Sequence, residues 1–151
     1  MNKNKQIITF IKCLLIILVS ANMISISSCG WDDPCYRNFG VHETYAVTID
    51  RAELSRDSLY SSETQTVKLW GTIGTNSGYS FKGLEVIRNT NTVDITAWKN
   101  LDIPCGQTPK DTVLSLSGYA YNITPPLTQG NNTVIIHGPE GGTIIKTFFV
   151  R

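Results

Sequence analysis

The 151-residue sequence predicts an all-β domain, a two-sheet antiparallel sandwich of about seven strands, behind an N-terminal export signal. Three observations predict it. From residue 44 onward apolar side chains alternate with polar ones rather than recurring every three or four positions, so strands and not helices are expected. The alternating stretches are separated by clusters of Asn, Gly and Pro, the residues that punctuate turns. The C-terminus reads as a hairpin: Thr133-Val134-Ile135-Ile136-His137, a Gly138-Pro139-Glu140-Gly141-Gly142 connection, then a returning strand over 143–150. A small barrel is the alternative closure of the same elements.

At the N-terminus, Lys3, Lys5 and Lys12 precede the apolar run Leu14-Leu15-Ile16-Ile17-Leu18-Val19, and no acidic residue occurs before Asp32. A basic start followed by a short apolar stretch is the pattern of a signal peptide. Even extended over 13–26 the stretch contains Ser20, Asn22 and Ser25, and it falls short of the roughly 20 apolar residues that a spanning helix needs. The segment 1–28 is therefore expected to be removed.

The stretch Ile26-Ser27-Ser28-Cys29-Gly30 resembles the bacterial lipobox, in which an aliphatic residue and two small residues precede the cysteine that is lipidated. The usual pattern has Leu where Ile26 stands and Gly or Ala where Ser28 stands. The resemblance implies a lipoprotein whose Cys29 carries acyl chains such as palmitate. Each buried methylene contributes about 0.8 kcal/mol, so several chains anchor a protein with no transmembrane helix. Ordinary cleavage after Ser27 is the competing reading, since Ser25 and Ser27 also satisfy the small-residue rule. The following Gly30-Trp31-Asp32-Asp33-Pro34 resembles the short acidic tag of Bacteroidetes-type lipoproteins, which implies an outer-membrane, surface-exposed location; a solvated acidic linker is the plain alternative.

Without residues 1–28 the chain has the size of a single domain with one core. The organisation expected is a signal peptide over 1–28, a lipidated stalk over 29–42 and a sandwich over 43–151. The full sequence has 13 basic and 12 acidic residues, and removing the three N-terminal lysines leaves a formal charge of −2 with no basic stretch, which argues against a nucleic-acid partner. Of the four cysteines, Cys13 leaves with the signal and Cys29 takes lipid, so Cys35 and Cys105 are candidates for a disulfide or for two free thiols. Bonded, they would close a loop of about 70 residues, worth roughly 4 kcal/mol in the chain-entropy account.

The expected strands are taken in order. Over 44–54, Tyr45, Val47 and Ile49 share one face; over 65–75, Val67, Leu69 and Ile73 do. Further strands are expected over 79–88, 92–100 and 112–121, with Cys105 in a loop, and the terminal hairpin completes seven. Pro139 presets a turn dihedral and the glycines beside it can take positive φ. Ahead of the hairpin, Leu127-Thr128-Gln129-Gly130 resembles the turn that leads into the last two strands of immunoglobulin-like modules. That likeness implies an immunoglobulin or fibronectin-type sandwich. The antibody-type cysteine pair is missing, because Cys35 lies before the first strand, so no immune-receptor function is implied.

Motifs for catalysis are few. His42 and His137 are the only histidines, and neither sits in a recognisable triad motif. No zinc-ligand spacing, calcium-binding loop or phosphate-binding glycine loop is present, so neither cofactor nor metal is expected. Asp94, Asp102 and Asp111 are scattered carboxylates that no spacing singles out as an acid and base pair. The aromatic residues are more informative. Trp70 alternates out of phase with Val67 and Leu69, and Trp98 out of phase with Ile95 and Ala97. On solvent-facing surfaces these indoles could form a platform for a sugar ring or a protein partner; packed inside, they are simply core. The expected function is a non-catalytic binding or accessory module with a glycan or protein partner. A structural subunit of an envelope or adhesive assembly is the second reading and a small hydrolase the third. A long exposed edge strand would favour the second, and a histidine with a carboxylate in one cleft the third.

Overall fold

The computed structural model describes residues 40–151, and strands occupy most of that length. Residues 1–39, which include the expected signal peptide, Cys29 and Cys35, lie outside the described residues. Among the described residues the elements in chain order are β1 (Val41–Ala46), β2 (Thr48–Leu54), β3 (Ser58–Leu59), β4 (Gln65–Asn76), β5 (Tyr79–Arg88), β6 (Thr92–Ile103), β7 (Asp111–Ile123), β8 (Gly130–His137) and β9 (Thr143–Val150), with a 3-10 turn at Pro139–Gly141. The domain is all-β, as the alternation predicts.

The strands form two sheets. One is the three-stranded antiparallel set β2-β4-β7; the other runs β1-β6-β8-β9-β3, with β5 also on β6. Between them lies one core, in which β4 supplies Val67, Leu69 and Ile73, β6 supplies Val93, Ile95 and Ala97, and β8 supplies Val134 and Ile136. These are the in-phase residues of each alternating stretch, so the pleat sends every second side chain inward. Leu127, from the turn before β8, is also buried in this core, and its N–H donates to the Ser61 carbonyl at 3.0 Å.

Two features depart from the simplest reading. The stretch over 44–54 is not one strand. β1 pairs with β6 in the larger sheet and β2 with β4 in the smaller one, so the chain changes sheets at Val47, which is fully buried and whose N–H donates to the Ala97 carbonyl at 2.8 Å. The larger sheet is also mixed, because β6 with β8 and β3 with β9 run parallel. Nine strands among the described residues, against about seven expected, follow from this switch and from the two-residue β3.

The terminal hairpin forms as expected. β8 and β9 pair antiparallel from His137↔Thr143 to Gly130↔Val150, and the connection is closed by Gly138 N–H to Gly142 O at 2.7 Å and Gly142 N–H to Pro139 O at 3.1 Å. Cys105 lies in the loop after β6, as expected.

Candidate functional site

β6 is the strand that organises the outer face of the larger sheet. Along one edge it pairs with β5; along the other it is shared, with β8 opposite Thr92–Thr96 and β1 opposite Trp98–Ile103. Trp98 stands where one neighbour replaces the other. Its cross-strand partners are Ala46 on β1 and Gly83 on β5, so the largest side chain on the strand is flanked by two of the smallest residues.

β5 bulges at this level. Phe81 pairs with Lys99 and Gly83 with Trp98, so Lys82 is an extra residue with no partner on β6. Gly83 has φ +134, a conformation L side chains avoid, and a Cβ built on it would meet nothing within 4 Å. The indole therefore does not cover Gly83. It is held instead by Glu85, whose Oε2 accepts a hydrogen bond from Trp98 Nε1 at 2.8 Å. The result is an open trough of about 490 Å³ lined by Thr44, Lys82, Gly83, Leu84, Glu85 and Trp98. That volume falls within the range of small-ligand sites.

The trough carries one ammonium and one carboxylate. Glu85 retains a second carboxylate oxygen beyond the one that orients the indole, and Thr44 Oγ1 donates to Asn100 Oδ1 at 3.0 Å, leaving its lone pairs as acceptors. Acceptors, a cationic donor and an aromatic wall thus meet in one shallow space.

Trp70, paired with Trp98 at the sequence level, belongs to the other sheet. It too points away from the buried Val67 and Leu69, but the Arg51 guanidinium lies 4.0 Å from its ring centroid and Gly118 packs beneath it, with its ideal Cβ position 3.4 Å from Cζ2. The two tryptophans stand on different sheets with the core between them, so they do not build a common platform. Trp70 is covered by its own neighbour; Trp98 lines open space.

Both histidines find a carboxylate. His137 Nε2 lies 2.8 Å from Asp94 Oδ1, half-buried on the outer face of the larger sheet, and His42 Nδ1 lies 3.1 Å from the exposed Asp102 Oδ1. Pairing of His137 with Asp94, 43 residues apart, comes from the parallel register of β6 with β8 and has no sequence motif. Neither residue of this pair lines the Trp98 trough, the cavity of about 250 Å³ beside the terminal hairpin or the one of about 120 Å³ at the Cys105 loop. Asp111 begins β7, apart from both pairs. Among the described residues, no group of three His, Cys, Asp or Glu side chains is placed to hold a metal ion, and no helix is long and apolar enough to cross a membrane.

Sequence reasoning pointed to Trp98 by its phase. It missed Lys82, Gly83, Glu85 and Thr44, for which the lone glycine inside an alternating strand was the available sign of a bulge. No family model matches the chain, and neither the curated proteins nor the solved structures contain a match.

Proposed function

We propose that this chain is a Bacteroidetes-type lipoprotein, anchored through acylated Cys29 at the surface of the outer membrane, whose β-sandwich is a non-catalytic binding module. One observation carries the binding reading: an indole on the outer face of a sheet, oriented by a carboxylate, beside a trough that small neighbours leave open. A rigid sheet holds these groups without a mobile loop, which limits the ordering cost of binding. The address rests on the basic start, the apolar run and the Ile26-Ser27-Ser28-Cys29-Gly30 sequence.

Two finer assignments belong to the same reading. Cys35 is the disulfide partner of Cys105, which ties the stalk to the loop after β6. The sandwich is immunoglobulin-like: the buried Leu127 before the last hairpin supports this, and the parallel pairing of β6 with β8 counts against a strict version.

The experiment is intact-mass measurement and membrane partitioning of the full-length protein made in its own type of cell, with protease shaving of whole cells and a Cys29→Ala control. Acylated Cys29, release of the control and removal of the domain by protease are expected. A soluble mature chain beginning after Ser27 would overturn the anchor. For the module, ligand screens against Trp98→Ala and the unaltered chain test whether the trough is the site.

The assembly reading has one observation in its favour. β7 pairs only with β4, and beyond Asp111 it carries no charged residue through Ile123, while Val113, Leu114 and Tyr119 are exposed. Uncharged edges invite strand addition. Register shifts against β4 around Gly118 and before Leu114 interrupt that edge, so it is a weaker template than its length suggests.

A further inference from the structure

Resting on the reading of this chain as a binding module, we propose that the Trp98 trough takes a neutral pyranose ring, one sugar unit of a glycan, with its C–H face against the indole and its hydroxyls on Glu85, Lys82 and Thr44.

The charge of the trough selects for neutrality. Lys82 and Glu85 bring one positive and one negative group, and neither forms an ion pair within the described residues, so neither a phosphate nor a free cation gains net attraction there. A polyol does, because its hydroxyls both donate to Glu85 and accept from Lys82. The indole adds the second requirement. A pyranose presents a patch of C–H groups ringed by hydroxyls, and it meets a wall that is apolar on its face and polar at its rim. Gly83 provides the third: with nothing within 4 Å of where its Cβ would be, the floor of the trough is bare backbone that a flat ring can approach.

The same features disfavour an added peptide strand. The unpaired Lys82 interrupts the β5 ladder at the level of Trp98, and a strand laid along that edge would lose its backbone hydrogen bonds where the indole would have to contribute. The fixed hydrogen bond from Trp98 to Glu85 means that the wall is oriented before the ligand arrives.

The test is saturation-transfer NMR on the full mature chain in detergent. The probes are methyl galactoside, methyl mannoside and methyl N-acetylglucosaminide, with methyl glucuronide as the acidic comparison and a neutral peptide library alongside. At least one neutral pyranoside is expected to bind. Trp98→Ala and Thr44→Leu, both on the outer face, are expected to weaken it on the order of tenfold, whereas Tyr60→Ala leaves it unchanged. Glu85→Gln keeps an oxygen to accept from the indole and removes the negative charge, so the glucuronide is expected to gain relative to the neutral sugars. Circular dichroism confirms that each variant is folded. Absence of pyranoside binding, or binding indifferent to Trp98→Ala and Thr44→Leu, overturns the proposal. Peptide binding that depends on Trp98 without sugar binding overturns the sugar while leaving the module; no binding of either kind at Trp98 removes both.

Discussion

Gln65, at the start of β4, is a fully buried polar side chain, and replacing it with leucine isolates what its amide does. Its Oε1 accepts from Ser55 Oγ at 2.7 Å and from the Thr66 N–H at 3.1 Å, while Nε2 donates to the Arg56 carbonyl at 2.5 Å. The amide thereby fastens the link between β2 and β3 to the neighbouring strand. In Gln65→Leu the volume is nearly kept, and the Thr66 N–H retains Ser55 Oγ at 3.2 Å. What is lost is the Ser55 hydrogen bond, about 1 kcal/mol, and the partner of the Arg56 carbonyl, about 1–3 kcal/mol for a group left unsatisfied. Greater apolar burial returns about 1 kcal/mol, so the net loss is about 1–3 kcal/mol. At roughly 4 °C per kcal/mol for a domain of this size, the melting temperature falls by about 4–12 °C. Urea unfolding should show a lower midpoint with an unchanged slope. Gln65→Glu supplies a second arm: a buried carboxylate facing the Arg56 carbonyl has no proton to donate, so its folded pKa rises above the unfolded value. That variant is most stable in acid and loses stability as pH rises through the raised pKa. A leucine variant within about 0.5 kcal/mol of the unaltered protein, together with a glutamate variant showing no such pH dependence, would refute the reasoning.

The remaining predictions concern the core, an exposed turn and the second tryptophan. Ile95, fully buried in the first half of β6, should cost about 2–5 kcal/mol as Ile95→Ala in urea unfolding, since the opposed sheets collapse only partly around the lost methylenes. Glu63 accepts from the Tyr60 N–H at 2.7 Å and pairs with the Arg56 guanidinium, and these hold its carboxyl below the usual range, the backbone hydrogen bond first. A depressed folded pKa means stabilisation that is present above the unfolded pKa and lost as pH falls through the folded one. Melting curves of Glu63→Gln and the unaltered chain should therefore differ at neutral pH and converge in acid. Arg51→Ala removes the guanidinium over Trp70 and should cost about 0.5–1 kcal/mol, with a shift in tryptophan emission that Trp70→Phe abolishes.

How far the fold is legible in the sequence depends on whether a feature is local. β4 and β8 are legible because their alternation is recorded residue by residue: Val67, Leu69 and Ile73 share a face with or without a partner strand. The terminal hairpin is legible for the same reason, its turn chemistry lying between its strands. The switch at Val47 is not, because β1 and β2 alternate in one continuous pattern and only pairing with β6 and β4 assigns them to different sheets. The parallel alignment of β6 with β8, and with it the meeting of His137 and Asp94, is likewise a matter of partners distant in the chain.

The sequence by itself determined the all-β class and that Trp70 and Trp98 fall out of phase with the apolar residues beside them, each carried by neighbours a few residues apart. Tertiary structure alone decided that Trp70 lies under Arg51 while Trp98 stands between Ala46 and Gly83 over an open trough. The physical reason is that period-two patterning says which way a side chain points, whereas what it meets there is set by strand register, and register is a property of two strands at once.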